Sequence, residues 1–134
     1  IELQLHLNLI DGAQAEDAIM LKQVLINLIL NAMEALSEND RGALERKGLI
    51  AVETGSVQKV PFVRVHDNGP GIPPDLQEKI FDPFFTTRKE GSGLGLAIVK
   101  KMVLEAGGQI ELDSGPEGTD FTVYLGRVGK SIHD

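Results

Sequence analysis

Ile1, Leu3, Leu5, Leu7 and Leu9 alternate with Glu2, Gln4, His6 and Asn8, the period of two that marks a strand with one buried face. Asp11 and Gly12 end it. From about Asp17, a candidate N-cap, to about Ser37 the chain predicts a long apolar helix, and Asn39 to Gly48 reads as a polar, charged loop. Leu49–Val57 and Phe62–His66 read as two strands. Asp67 to Glu90 holds Gly69-Pro70-Gly71, Pro73-Pro74 and Asp82-Pro83 with little periodicity, so it predicts a long, partly ordered loop. Loops beyond about 12–15 residues are uncommon in compact domains and tend to be lids or binding loops. Leu94 to Ala106 reads as a helix stopped by Gly107-Gly108, and the strands Gln109–Ser114 and Thr119–Leu125 follow.

The order β, α, β, β, loop, α, β, β predicts an α/β fold: a two-layer sandwich, a mixed sheet of about five strands covered on one face by two main helices, about three in all. Residues 1–126 are expected to form one domain, with the lid over about 73–93 and a tail over 127–134. A length of 134 residues and 42% hydrophobic content suit a single domain with a real core.

The formal charge of −7 argues against nucleic acid as a partner, because such affinity rests on neutralising many phosphates. One Tyr and five Phe make base-stacking platforms improbable too. With no cysteine, a disulfide framework and thiol-ligated zinc are excluded. Ala18 to Met33, the longest apolar stretch, is cut by Lys22, Gln23, Asn27 and Asn31 and falls short of the ~20 residues of a spanning helix. A soluble, cytoplasmic unit without direct membrane contact is expected. Because the chain opens inside an alternating pattern, it is expected to be a module of a longer protein.

Three segments carry candidate chemistry. On the first helix, Gln23, Asn27, Asn31 and Glu34 share one face. An amphipathic solvent face would explain that stripe, but such a face more naturally carries Lys, Glu or Arg than asparagine, a mediocre helix former. Carboxamide oxygens one turn apart could instead ligate magnesium, which prefers oxygen and keeps waters and phosphate oxygens as further ligands. In the strand Phe62–His66, the parity of Val63 and Val65 carries on to Asp67 and places it on the core side. Thr119 has the same parity as Phe121, Val123 and Leu125. A buried carboxylate requires a partner, and the exocyclic amino group of a purine is one. Asp67-Asn68-Gly69 is equally an ordinary turn sequence, and both explanations stay open. Third, Glu90-Gly91-Ser92-Gly93-Leu94-Gly95-Leu96 leads into a helix, so bare amides and a helix N-terminus could meet a triphosphate; a flexible hinge is the alternative. A dinucleotide fingerprint fails because Leu96 stands where its third glycine is required.

In order along the chain, Asn27-Leu28-Ile29-Leu30-Asn31-Ala32-Met33-Glu34-Ala35, Asp67-Asn68-Gly69-Pro70-Gly71-Ile72, Phe81-Asp82-Pro83-Phe84-Phe85, Gly91-Ser92-Gly93-Leu94-Gly95-Leu96 and Gly118-Thr119-Asp120-Phe121 resemble the N, G1, F, G2 and G3 boxes of sensor histidine kinases. Five boxes in the right order cover nearly the whole chain. The resemblance implies the catalytic ATP-binding domain of a two-component kinase, on the Bergerat fold shared with gyrase and a heat-shock chaperone. It implies Asn31 as the magnesium ligand, Asn27 as its neighbour at the phosphates and Asp67 as the adenine-reading carboxylate. Gly69, Gly71 and Ile72 belong to the adenine turn, and Thr119 supports the base. Gly91, Ser92, Gly93, Leu94, Gly95 and Leu96 line the phosphate side of the lid. Arg88 and Lys89, also in the lid, could neutralise the γ-phosphate or could be a solvated basic pair. Phe81, Phe84 and Phe85 resemble the lid's apolar anchor, for which core packing is an equal explanation. Thr86-Thr87-Arg88 and Glu34 resemble the subgroup of nitrogen-regulation and oxygen-sensing kinases.

Hydrolytic relatives place a glutamate four residues before the magnesium asparagine, where it activates water. Here that position is Asn27, whose neutral amide cannot accept a proton, so transfer to another acceptor is expected over hydrolysis. None of His6, His66 and His133 is followed by the acidic residue of the family's phosphoacceptor box. The expected partners are therefore an upstream dimerisation domain carrying the histidine, a homodimer of the parent protein, which could be an inner-membrane sensor, and a cognate response regulator. Two alternatives remain: a nucleotide-gated binding module that transfers nothing, and an anti-sigma-type serine kinase on the same fold.

Overall fold

The computed structural model describes residues 1–8, 15–37, 47–85 and 95–126. Five strands, β1 (Glu2–Leu7), β2 (Leu49–Val57), β3 (Val60–Asp67), β4 (Gln109–Gly115) and β5 (Gly118–Tyr124), form one sheet in the order β1-β2-β3-β5-β4. β1 is parallel to β2 and every other pair is antiparallel, so the sheet is mixed. Parallel neighbours need a crossover, and α1 (Ala15–Leu36) supplies it. A second helix, α2 (Gly95–Glu105), lies beside α1, and two short 3-10 turns, Pro74–Leu76 and Lys79–Phe81, follow β3. The expected two-layer α/β sandwich is the observed one.

Leu21, Val24, Leu28, Ala32 and Leu36 recur every three or four residues along α1 and are buried against Val63 and Val65 of β3, Val99 and Val103 of α2, and Phe121 and Val123 of β5. The apolar stretch runs past the expected Met33 to Leu36, and at 19 residues Ala18–Leu36 is long and apolar enough, by length and composition alone, to cross a membrane. Such length and composition also suit a core helix, and this one places an apolar stripe in the core. The helix starts two residues ahead of the expected Asp17 cap.

α2 ends as the two glycines predict. Gly107 N–H bonds Leu104 O at 3.1 Å and Gly108 N–H bonds Val103 O at 2.8 Å, the paired closure of a Schellman motif. β2 and β3 are joined by a two-residue turn, Gln58-Lys59, with φ of 53° and 65°, the left-handed pair of a type I′ hairpin. β3 therefore begins at Val60 and not at Phe62, running through Pro61.

β1 departs from expectation. Leu3, Leu5 and Leu7 pair with Ile50, Val52 and Thr54 on the helix side of the sheet, yet all six β1 residues are exposed, Leu5 by 57%. The alternation sets which face the leucines occupy, but among the described residues the core takes nothing from β1.

Candidate functional site

β3 and β5 are paired so that Val65 lies opposite Phe121 and Asp67 opposite Thr119. Alternation places Val63, Val65 and Asp67 on the helix side together with Thr119, Phe121 and Val123. Asp67 is 3% exposed and Thr119 4%, a carboxylate and a hydroxyl side by side at the end of an aliphatic core. Asp67 Oδ1 accepts the Gly69 N–H at 2.9 Å, so the residue does cap its own turn. An ionised carboxylate has roughly four acceptor sites, so a turn cap and a ligand contact are compatible. The neighbouring Asn68 serves the scaffold: its Oδ1 accepts Leu49 N–H at 2.8 Å and its Nδ2 donates to Lys47 O at 2.9 Å.

Backbone presses on backbone around this pair. Gly71 has φ +82°, and a Cβ there would lie 2.0 Å from Gly115 O. Gly118 has φ +145°, and its Cβ would lie 2.1 Å from Asp67 O. Any side chain at either position would force the Asp67 turn away from the β4–β5 hairpin. Ser114 fills the junction: its Oγ accepts Ile72 N–H at 2.8 Å and lies 2.8 Å from Thr119 Oγ1.

The turn also abuts α1, since a Cβ on Gly69 would lie 3.5 Å from Ala35 Cβ. Asn31 and Asn27 are one and two turns before Ala35 on the same helix face, about 6 and 12 Å along the axis. Both are half-buried, whereas Gln23 and Glu34 at the ends of the stripe are exposed. The solvent-face explanation thus holds only for the ends. Asn27 Nδ2 is buried with no hydrogen-bond partner among the described residues. An orphaned donor costs about 1–3 kcal/mol, and a phosphate oxygen is the kind of acceptor that would satisfy it.

Gly95 opens α2 and Leu96 packs on the core. Arg88, Lys89, Gly91, Ser92, Gly93 and Leu94 lie outside the described residues, as do most of the lid's second half and the tail after 126. Of the phenylalanines, Phe81 meets Phe121 edge-on at 6.1 Å, with Lys100 Nζ 5.3 Å from its ring centroid, and Ile72 and Ile80 pack nearby. Phe84 is exposed and Phe85 half-buried, so core packing accounts for Phe81. Among the described residues no group of three or more His, Asp or Glu is arranged to hold a metal.

The opposite sheet face is a paired polar surface. Arg64 bonds Glu53 at 2.9 Å and Thr122 at 3.1 Å, and His66 meets Asp120 at 2.7 Å; Arg64, Glu111, Asp120 and Thr122 line a shallow groove of about 640 Å³. On the same face, burial pushes the Tyr124 hydroxyl pKa above its ordinary value, with the Glu111 carboxylate adding to it.

Sequence reasoning placed Asp67 and Thr119 together correctly by parity but missed Ser114, Gly118 and Ala35 as parts of the site. Gly118 lay inside a recognised box, but its positive φ and its close approach to Asp67 O are visible only in the fold.

The family model described as "Histidine kinase-, DNA gyrase B-, and HSP90-like ATPase" matches residues 16–128. The chain belongs to this ATPase family. It is 47% identical over 116 residues to the C4-dicarboxylate transport sensor protein DctB of Rhizobium meliloti, which covers 86% of this chain and 18% of that protein. Against the sensory histidine kinase/phosphatase NtrB of the same organism it is 43% identical over 113 residues, covering 78% of this chain and 30% of the relative. The chain thus spans less than a third of either protein. Among solved structures, the catalytic domain of histidine kinase ThkA superposes with a TM-score of 0.73 at 35% identity, over 92% of this chain and 76% of that one. The chain is accordingly an ATP-binding domain of the histidine-kinase catalytic type, the family and fold that the five boxes imply.

Proposed function

We propose that this chain binds Mg-ATP and transfers its γ-phosphate to a histidine on a separate dimerisation domain, whose phosphoryl group then passes to a response regulator. The buried Asp67–Thr119 pair, walled by glycine backbone, is the observation that carries this reading. Asp67 accepts from the adenine amino group, Thr119 bonds the same edge of the base, and Gly69, Gly71 and Ile72 form the adjoining wall.

Asn31 and Asn27 lead from that turn toward the phosphates. A magnesium ion held by the Asn31 carboxamide oxygen, with phosphate oxygens and waters as its other ligands, would offset phosphate charge. Asn27 donates to a phosphate oxygen, which suits its orphaned Nδ2. As an amide it cannot take a proton from water, so the bound nucleotide is protected from hydrolysis until an acceptor is aligned. The amides of Gly91, Ser92, Gly93, Leu94, Gly95 and Leu96 cradle the triphosphate at the start of α2, and Arg88 and Lys89 supply cations from the lid. Residues 1–126 act as the domain, 73–93 as its lid and 127–134 as a tail. ATP chemistry of this kind places it on the cytoplasmic side, without membrane or nucleic-acid contact, whatever the parent spans.

Calorimetry with Mg-ATP tests the site. Asp67→Asn and Asn31→Asp should each abolish measurable affinity while leaving the circular dichroism spectrum unchanged; wild-type affinity in both variants would overturn the assignment. Labelled ATP added to this chain with the helical domain of the parent should give an acid-labile, base-stable phosphoprotein. An acid-stable product would favour serine transfer, and bound but untransferred phosphate would favour a nucleotide-gated module.

A further inference from the structure

Ala35 has no polar group to offer a nucleotide, yet it is the point at which α1 meets the Asp67 turn. A Cβ built on Gly69 would lie 3.5 Å from Ala35 Cβ and 3.6 Å from Ala35 O, both ordinary contact distances. The junction therefore has room for one added carbon and for little more. Gly69 is buried there and Ala35 half-buried.

Both sides of the junction are pinned. Ala32 and Leu36, which flank Ala35 on the helix, are 1% and 5% exposed in the core. The turn is tied down by Asn68, whose N–H donates to Leu49 O at 3.2 Å and whose side chain bonds Leu49 N–H and Lys47 O. Gly69 is locked to the site in its turn, because its N–H donates to Asp67 Oδ1 at 2.9 Å. With neither wall free to yield, the side chain at position 35 sets how far the Asp67 turn stands from α1.

Asn31 is one turn before Ala35 on the same helix face, so that distance is also part of the span from Asp67 to Asn31. A nucleotide engages both ends at once only where the span matches its own length. We infer that Ala35 is a positioning residue: its single methyl group seats the Gly69 turn against α1 and fixes the span between the base-binding and metal-binding ends of the site. The inference rests on the ATP reading above.

Ala35→Ile tests it, since isoleucine adds three carbons on a stiff, β-branched stem. Helical side chains lean toward the N-terminus, so the added bulk enters the space between the turn and Asn31. Isotope-labelled wild type and variant are titrated with Mg-ATP and with adenosine, which has the base and no phosphates, and followed by NMR. Overpacking should weaken Mg-ATP about tenfold while adenosine changes by less than about threefold, so the ATP/adenosine ratio falls. The Gly69 amide resonance of the nucleotide-free variant should shift as well. Ala35→Val should give the same changes in smaller measure, even if isoleucine unfolds the domain, and Ala35→Ser, close to alanine in size, should keep the wild-type ratio. An unchanged ratio in the folded isoleucine or valine variant would overturn the inference. So would a fallen ratio with the Gly69 amide unmoved, because the added bulk would then be acting on Asn31 directly. Failure of the wild-type protein to bind Mg-ATP at all would instead strike the underlying reading, and this one with it.

Discussion

β5 and β1 both carry alternating apolar residues on the helix side of one sheet, and they meet opposite fates. On β5, Thr119, Phe121 and Val123 lie between β3 and β4 and under both helices, and each is almost wholly buried. On β1, at the sheet edge, Leu3, Leu5 and Leu7 are each more than half exposed. Alternation decides which face a side chain joins; only a covering layer makes that face an interior. The polar groups of the candidate site sit in the covered region, where desolvation strengthens their electrostatics and makes an unsatisfied group costly. Three substitutions would break or sharpen this contrast.

The largest effect is expected at Phe121. Its ring is 2% exposed and packs edge-on against Phe81, joining the segment after β3 to the core. Phe121→Ala should cost about 3–5 kcal/mol through lost transfer energy and the cavity left behind. Urea unfolding would measure it as a lower midpoint at unchanged slope. Loss below about 1 kcal/mol would mean that the β5 interior is looser than its burial indicates.

This region was legible in the sequence because its signals agree. The strand parity of Val63, Val65 and Asp67 and of Thr119, Phe121 and Val123 needs no knowledge of the helices, and central strands are covered whatever covers them. β1 was half legible: the parity was right, but whether a helix reaches an edge strand is a property of the packed layers and not of the strand. The Gln58-Lys59 turn was missed because neither residue is the Asn or Gly that type I′ hairpins favour. Ser114 left no trace at all, since a serine before Gly115-Pro116 reads as the end of a strand, and its partners Ile72 and Thr119 are brought to it only by the fold.

Gly118 tests the close approach itself. In Gly118→Ala the new methyl would sit 2.1 Å from Asp67 O and 3.0 Å from Asn68 Cα, on a backbone of φ +145° that side chains rarely adopt. Overpacking and backbone strain together should cost about 2–4 kcal/mol. Moving β5 off the Asp67 turn should weaken Mg-ATP binding at least tenfold, a larger fraction of function than of stability. Thermal melts and calorimetry on one preparation would separate the two, and wild-type behaviour in both would show that the β3–β5 contact at the site has room to give.

The smallest effect is expected where the pattern is most conspicuous. Leu5 is as apolar as any β5 residue, yet Leu5→Gln should change stability by no more than about 0.5 kcal/mol, the ordinary range for an exposed position. Mg-ATP affinity should not change, because β1 is separated from β3 by β2. The substitution should also reduce self-association at high concentration, since an edge strand with exposed leucines offers both unpaired backbone and apolar surface to another chain. Equilibrium unfolding at two protein concentrations would read both outcomes. A loss of 2 kcal/mol or more would mean that the leucine face is covered in solution. The contrast between β1 and β5 would then be one of what covers each strand, and no longer of whether anything does.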